Sequence, residues 1–141
     1  MNESILNKDV FCDLMQKHCY EVLNTLINEN TEFSIVVNTK YVSFDPILPE
    51  ELDISKNPYT LFALGGYTFT SIKLDKNSIT FHAGFGPDDF ATFVNVDLKA
   101  ITQIQIENSV LFVNFSVYKR KKENMMEKSM NVFLNTQKKD T

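Results

Sequence analysis

Tryptophan is absent from this 141-residue chain, and four residue types are scarce: four glycines, four prolines, two cysteines and two histidines. Each shortage excludes something. Cys12 and Cys19 stand seven positions apart in a segment of helical periodicity, roughly 10 Å along the axis, which exceeds disulfide reach within one helix. With His18 they match no common zinc spacing. No G-x-S-x-G, phosphate-cradling glycine loop or H-E-x-x-H occurs, so neither an enzyme of those classes nor a cofactor or metal is expected. No run of about 18 apolar residues is present, so no membrane-spanning helix is expected. The opening MNESILNKDV lacks the basic-then-apolar order of a secretory signal, which leaves the cytoplasm as the expected compartment. The net charge of −4 argues against a general nucleic-acid binder.

What is present reads as one domain over 1–118 and a flexible C-terminal tail over 119–141. Phe11, Leu14, Met15, Cys19, Val22, Leu23, Leu26 and Ile27 recur at three- and four-residue spacing, which predicts a helix over 9–30. β-branched and aromatic runs then predict strands at 33–39, 41–44, 59–64, 67–74, 79–85, 91–96, 101–106 and 110–118. Prolines 46, 49 and 58 break the chain between 45 and 58, and Asp97–Ala100 reads as a single helical turn. Short strands with short connections predict a mainly β, α+β fold: an N-terminal helix and a small, strongly bent antiparallel barrel over 33–118. The tail carries the basic run Lys119-Arg120-Lys121-Lys122 and one apolar patch, Met130 to Leu134.

The stretch ITFHAGFG, residues 79–86, holds two of the four glycines. Glycine in a strand marks a bulge, a bend or a close approach of another backbone. Gly84 and Gly86 therefore serve either barrel closure or a shallow groove for an extended peptide. Composition and spacing leave the two level. His82 alternates against Phe81 and reads as an exposed strand residue. Asp88 and Asp89 follow Pro87 and read as a solvated turn.

The order of segments resembles the stringent starvation protein B (SspB) family, adaptors that enhance the specificity of the ClpXP protease. The resemblance lies in Ile35-Val36-Val37-Asn38 after the helix, Thr60 to Gly66, the hairpin Ile72 to Gly86, and Val94 to Ile101 with Glu107-Asn108 beyond. It spans roughly residues 10–115. Gly84 stands where many members have Arg, Asp97 where they have Pro, and the 87–90 loop is longer. The resemblance implies an Sm-like barrel and a non-enzymatic adaptor that holds ssrA-type degradation-tag peptides. Carried over by position, the peptide site is Ala83, Gly84 and Phe85, with Ala63 and Gly65 on what is expected to be the neighbouring strand. It also implies a homodimer formed through the N-terminal helix, and a tail segment, Val132, Phe133 and Leu134, that docks on the ClpX unfoldase. The alternative is an RNA-binding Sm-like barrel module, supported by the basic run beside Tyr118.

Overall fold

The computed structural model describes residues 4–119. After a 3-10 turn at Ile5–Asn7 comes α1 (Asp9–Asn28). Eight strands follow: β1 (Phe33–Asn38), β2 (Val42–Asp45), β3 (Tyr59–Leu64), β4 (Lys73–Leu74), β5 (Ser78–Phe85), β6 (Phe90–Asp97), β7 (Ile101–Ile106) and β8 (Ser109–Val113), with a short helix α2 (Gly66–Thr70) between β3 and β4.

The strands form two antiparallel sheets of four, ordered β3-β1-β7-β8 and β2-β6-β5-β4. The expectation of a mainly β, α+β fold holds. The closed barrel does not: β3 and β5, expected to be neighbours, lie in different sheets. The reason lies at the β5 edge, where β4 pairs for two residues only and no ladder joins β5 to β3. 3-10 turns at Thr39–Tyr41 and Leu98–Ala100 bend the chain between β1 and β2 and between β6 and β7. The β1–β7 pair in one sheet thus continues through one bend as the β2–β6 pair in the other.

Alternation decides which side chains fill the space between the sheets. Ile35, Val37, Phe62, Leu64, Ile79, Phe81, Val94, Val96, Ile101 and Ile104 all point inward and are buried. The helical stripe completes this core: Cys12, Cys19 and Leu23 are buried, and Met15, Val22, Leu26 and Ile27 pack against it. Two buried polar side chains are satisfied. Thr92 Oγ1 donates to the Pro46 carbonyl at 2.6 Å. Asn114 donates to the carbonyls of Lys99 and Ile101, both at 3.3 Å, and accepts from Ser116 N–H at 2.8 Å and Ser116 Oγ at 2.6 Å.

Two strand expectations are corrected. Residues 67–74 do not run as one strand. Gly66 takes a positive φ of 55°, its N–H donates to the Glu32 carboxylate at 2.7 Å, and the chain coils into α2 before only Lys73 and Leu74 pair with β5. A glutamate 34 positions away overrides the β-propensity of Tyr67 to Thr70. The last strand leaves the ladder at Val113, because Val117 N–H donates instead to the Leu6 carbonyl, at 2.7 Å.

Candidate functional site

The sequence singles out β5, and the structure shows what surrounds it. Ala83 and Phe85 point inward. The Phe85 ring meets Phe44 at 5.9 Å and Phe62 at 6.2 Å between centroids, both edge to face. These two residues line the end of the core rather than an outer groove. Gly84 points outward and is exposed. A Cβ there would fall 1.7 Å from Asp89 Oδ1 and 2.5 Å from its Cγ, so the room that glycine leaves is taken by the Asp89 carboxylate. Asp89 reaches it from the β5–β6 turn with a φ of 53°. Gly86 has a φ of 74°, and a Cβ there would meet the Leu52 side chain at 2.6 Å. Both glycines of the stretch are thus explained by close approach.

Ala63 and Gly65 are not brought to this place. Ala63 is exposed on the outer face of β3, opposite Ser34 of β1. Gly65 follows beside Glu32. Both line an open concavity of about 530 Å³ with residues 30–34 and 105–107, at the end of the other sheet. Val132, Phe133 and Leu134 lie outside the described residues, as do Arg120, Lys121 and Lys122.

The open feature of β5 is its edge. β4 pairs with it only at Ile79 and Thr80. Further along, the Ser71 hydroxyl accepts the His82 N–H at 2.8 Å and donates to the Thr68 carbonyl at 2.6 Å, leaving the His82 carbonyl at a longer 3.3 Å. Main-chain groups alternate in direction along a strand. The N–H and C=O of Gly84 therefore point to the same side as those of His82, away from β6. Among the described residues no strand lies there.

Beside this edge the outer face is aromatic. His82 stands opposite Phe93, with ring centroids 4.5 Å apart. Its Nδ1 is 3.0 Å from the Tyr67 hydroxyl, and the Tyr67 ring meets it edge-on at 5.7 Å. Tyr67 is 67% exposed and Phe93 52%, so both rings present apolar surface to solvent. Gly84 and Ala91 form the next cross-strand pair, so small residues lie beside the rings. Asp45, opposite Phe93 on β2, and Asp89 place carboxylates on the same face.

Sequence reasoning missed Tyr67, Phe93 and Asp89. The outward register of Phe93 was readable from alternation with Val94. Tyr67 was hidden by the strand expectation, and the seat of Asp89 over Gly84 has no local sequence signal.

Among the described residues no group of three or more His, Cys, Asp or Glu side chains is placed to hold a metal ion. Burial pushes the Cys19 thiol up to about 12, which makes it inert as a nucleophile. No described helix is long and apolar enough to cross a membrane. Neither a protein-family model nor a curated protein matches the chain.

Proposed function

We propose that this chain is a non-enzymatic adaptor that takes an extended peptide along the open edge of β5, as an added strand. The observation that carries the proposal is the Gly84 main chain, left without a partner strand beside exposed Tyr67 and Phe93. Main-chain bonds to such an edge supply affinity, and alternate peptide side chains read the neighbouring surface. The rings supply apolar contact at low entropic cost.

The finer reading follows the SspB resemblance. On it the peptide is an ssrA-type degradation tag, the partner is the ClpX unfoldase, reached through Val132, Phe133 and Leu134, and the setting is cytoplasmic protein quality control. The finer fold assignment, Sm-like, goes with it, supported by the two strand pairs that bend from sheet to sheet. Delivery is then a matter of effective concentration, two weak contacts making one tighter ternary complex. The residues carried over divide by role: Gly84 offers backbone, Ala83 and Phe85 shape the floor from within, and Ala63 with Gly65 belong to a separate concavity. Where many members of the family have a cationic Arg, this chain presents the Asp89 carboxylate, so its preferred peptide is neutral or basic at the matching position.

The RNA-binding alternative is the weaker one. Exposed rings can stack bases, but Asp45 and Asp89 lie on the same face and would oppose phosphates.

A fluorescent ssrA-type peptide tests the proposal by anisotropy. The expected result is saturable binding, weakened about tenfold or more by N-methylation at alternate peptide residues and little affected at those between. No binding at tens of micromolar removes the tag assignment, and indifference to N-methylation removes strand addition. Deleting residues 119–141 should leave peptide binding intact and abolish delivery to ClpX.

A further inference from the structure

A second open edge lies in the other sheet. β8 is its last strand. Over 110–118 the sequence VLFVNFSVY contains no charged residue and no proline, the residues that ordinarily blunt an edge against pairing. Phe112 and Asn114 face inward and are buried, while Leu111, Val113, Phe115 and Val117 face outward and are exposed. The outward row is therefore apolar at every position.

The main chain along this edge is covered at one end only. Asn114 N–H donates to the Thr102 carbonyl at 2.8 Å, so by alternation the Val113 N–H and C=O point away from β7. Further on, Val117 N–H donates to the Leu6 carbonyl at 2.7 Å, and the N-terminal turn thereby caps the far end of the edge. Val113 lies in the part left over. Among the described residues no strand covers it.

The continuation of the chain matches that part. Residues 129–137, SMNVFLNTQ, again contain no charge and no proline. Met130, Val132, Phe133 and Leu134 give both faces of a strand apolar side chains. The eleven residues 119–129 reach at most about 40 Å. Val113 is five residues back from Tyr118, at most about 18 Å away, so the segment can return to it. A chain that turns back lays its next strand antiparallel. A covalently attached segment also meets the edge at a high effective concentration, which an outside partner or a second copy must match by affinity.

We propose that residues 130–134 of the same chain cover β8 as an added antiparallel strand. Main-chain bonds to Val113 and apolar contact with the outward row hold it there. A segment held in this way is withheld from outside partners. The covering is thus an autoinhibitory contact for the unfoldase docking that the adaptor reading gives to Val132, Phe133 and Leu134. The autoinhibition rests on that reading; the covering does not.

Amide hydrogen exchange of the full chain, read residue by residue by NMR, tests the covering. The comparison is with the full-length double variant Val132→Asp/Phe133→Asp. Neighbouring residues of a strand face opposite sides, so one new carboxylate meets the apolar row in either register. The expected result is a Val113 N–H that exchanges about tenfold or more slowly in the parent, at every protein concentration. Equal rates in the two proteins overturn the proposal. So does protection that grows with concentration, which assigns the edge to a second copy. So does protection that the variant loses at Gly84 and not at Val113, which assigns the segment to β5. For the autoinhibition, Val113→Lys, with the circular dichroism of the parent, should free the segment and raise affinity for ClpX about tenfold or more. An unchanged affinity overturns the autoinhibition. ClpX binding absent from parent and Val113→Lys alike removes the adaptor reading, and the autoinhibition with it, while the exchange rates still decide the covering.

Discussion

Replacing Gly84 with alanine measures how firmly Asp89 is seated. In a strand interior alanine is favoured over glycine by about 0.5–1 kcal/mol, since glycine loses more backbone freedom on folding. Against that gain stands a clash: the new Cβ would lie 1.7 Å from Asp89 Oδ1 and 2.5 Å from Cγ. The carboxylate must swing away, at roughly 0.5–1.5 kcal/mol for leaving its rotamer, and the turn that holds Asp89 at a φ of 53° must give as well, at about 1–2 kcal/mol. The net expectation for Gly84→Ala is a loss of about 0.5–3 kcal/mol. With Asp89→Gly already in place, nothing occupies the site, and the left-handed position suits the new glycine. Gly84→Ala should then stabilise by about 0.5–1 kcal/mol. Urea unfolding of the four proteins closes a cycle whose coupling is about 1.5–3.5 kcal/mol. A coupling under about 0.5 kcal/mol, or a stabilising Gly84→Ala in the parent, would show that Asp89 does not fill the space over Gly84. The charge argument for a neutral or basic peptide would then fall with it.

Asn114→Ala strips four hydrogen bonds from the strand corner and leaves the Lys99 and Ile101 carbonyls without that partner. A loss of about 2–4 kcal/mol is expected in urea unfolding, and a loss under about 0.5 kcal/mol would refute the corner's dependence on it. For Cys19, burial raises the thiol from 9.0 to about 12, so the folded state holds its proton more tightly than the unfolded state. The contribution is fully present below pH 9 and declines by roughly 1.4 kcal/mol per pH unit from there to about pH 12. Cys19→Val removes this slope. The difference between the stability–pH curves of parent and variant should therefore change above pH 9, and parallel curves would refute it.

Much of the fold was legible because its signals are local. The 3.6-residue period of α1, the helical turn before Ile101 and six of the eight strands follow from patterning that neighbours in sequence impose. What was not legible depended on residues far apart. α2 exists because Glu32 accepts the Gly66 N–H, and nothing near Tyr67 announces that. The chain gives two sheets instead of a closed barrel because β4 is two residues long and leaves the rest of β5 unpaired, a length set by α2. On β5 the two glycines marked a close approach, but not what makes it. Ala63 and Ala83 look alike in sequence as small residues in strands. Only the register, with Ala83 facing the core and Ala63 facing solvent, separates them.

The shared bend of β1–β2 and β6–β7 gives the molecule a spine. Along it the two sheets are joined by continuous chain and by Tyr41, Leu98 and Ala100, all buried. Between β3 and β5 no ladder runs, and side-chain packing alone, Phe62 against Phe81 and Phe85, holds the covers together. A book opens at its fore-edge. Loosening of this domain short of unfolding will therefore begin where Phe85 and the glycines lie, and a strand added to β5 would act as a clasp, binding its ligand and stiffening its own fold in one event.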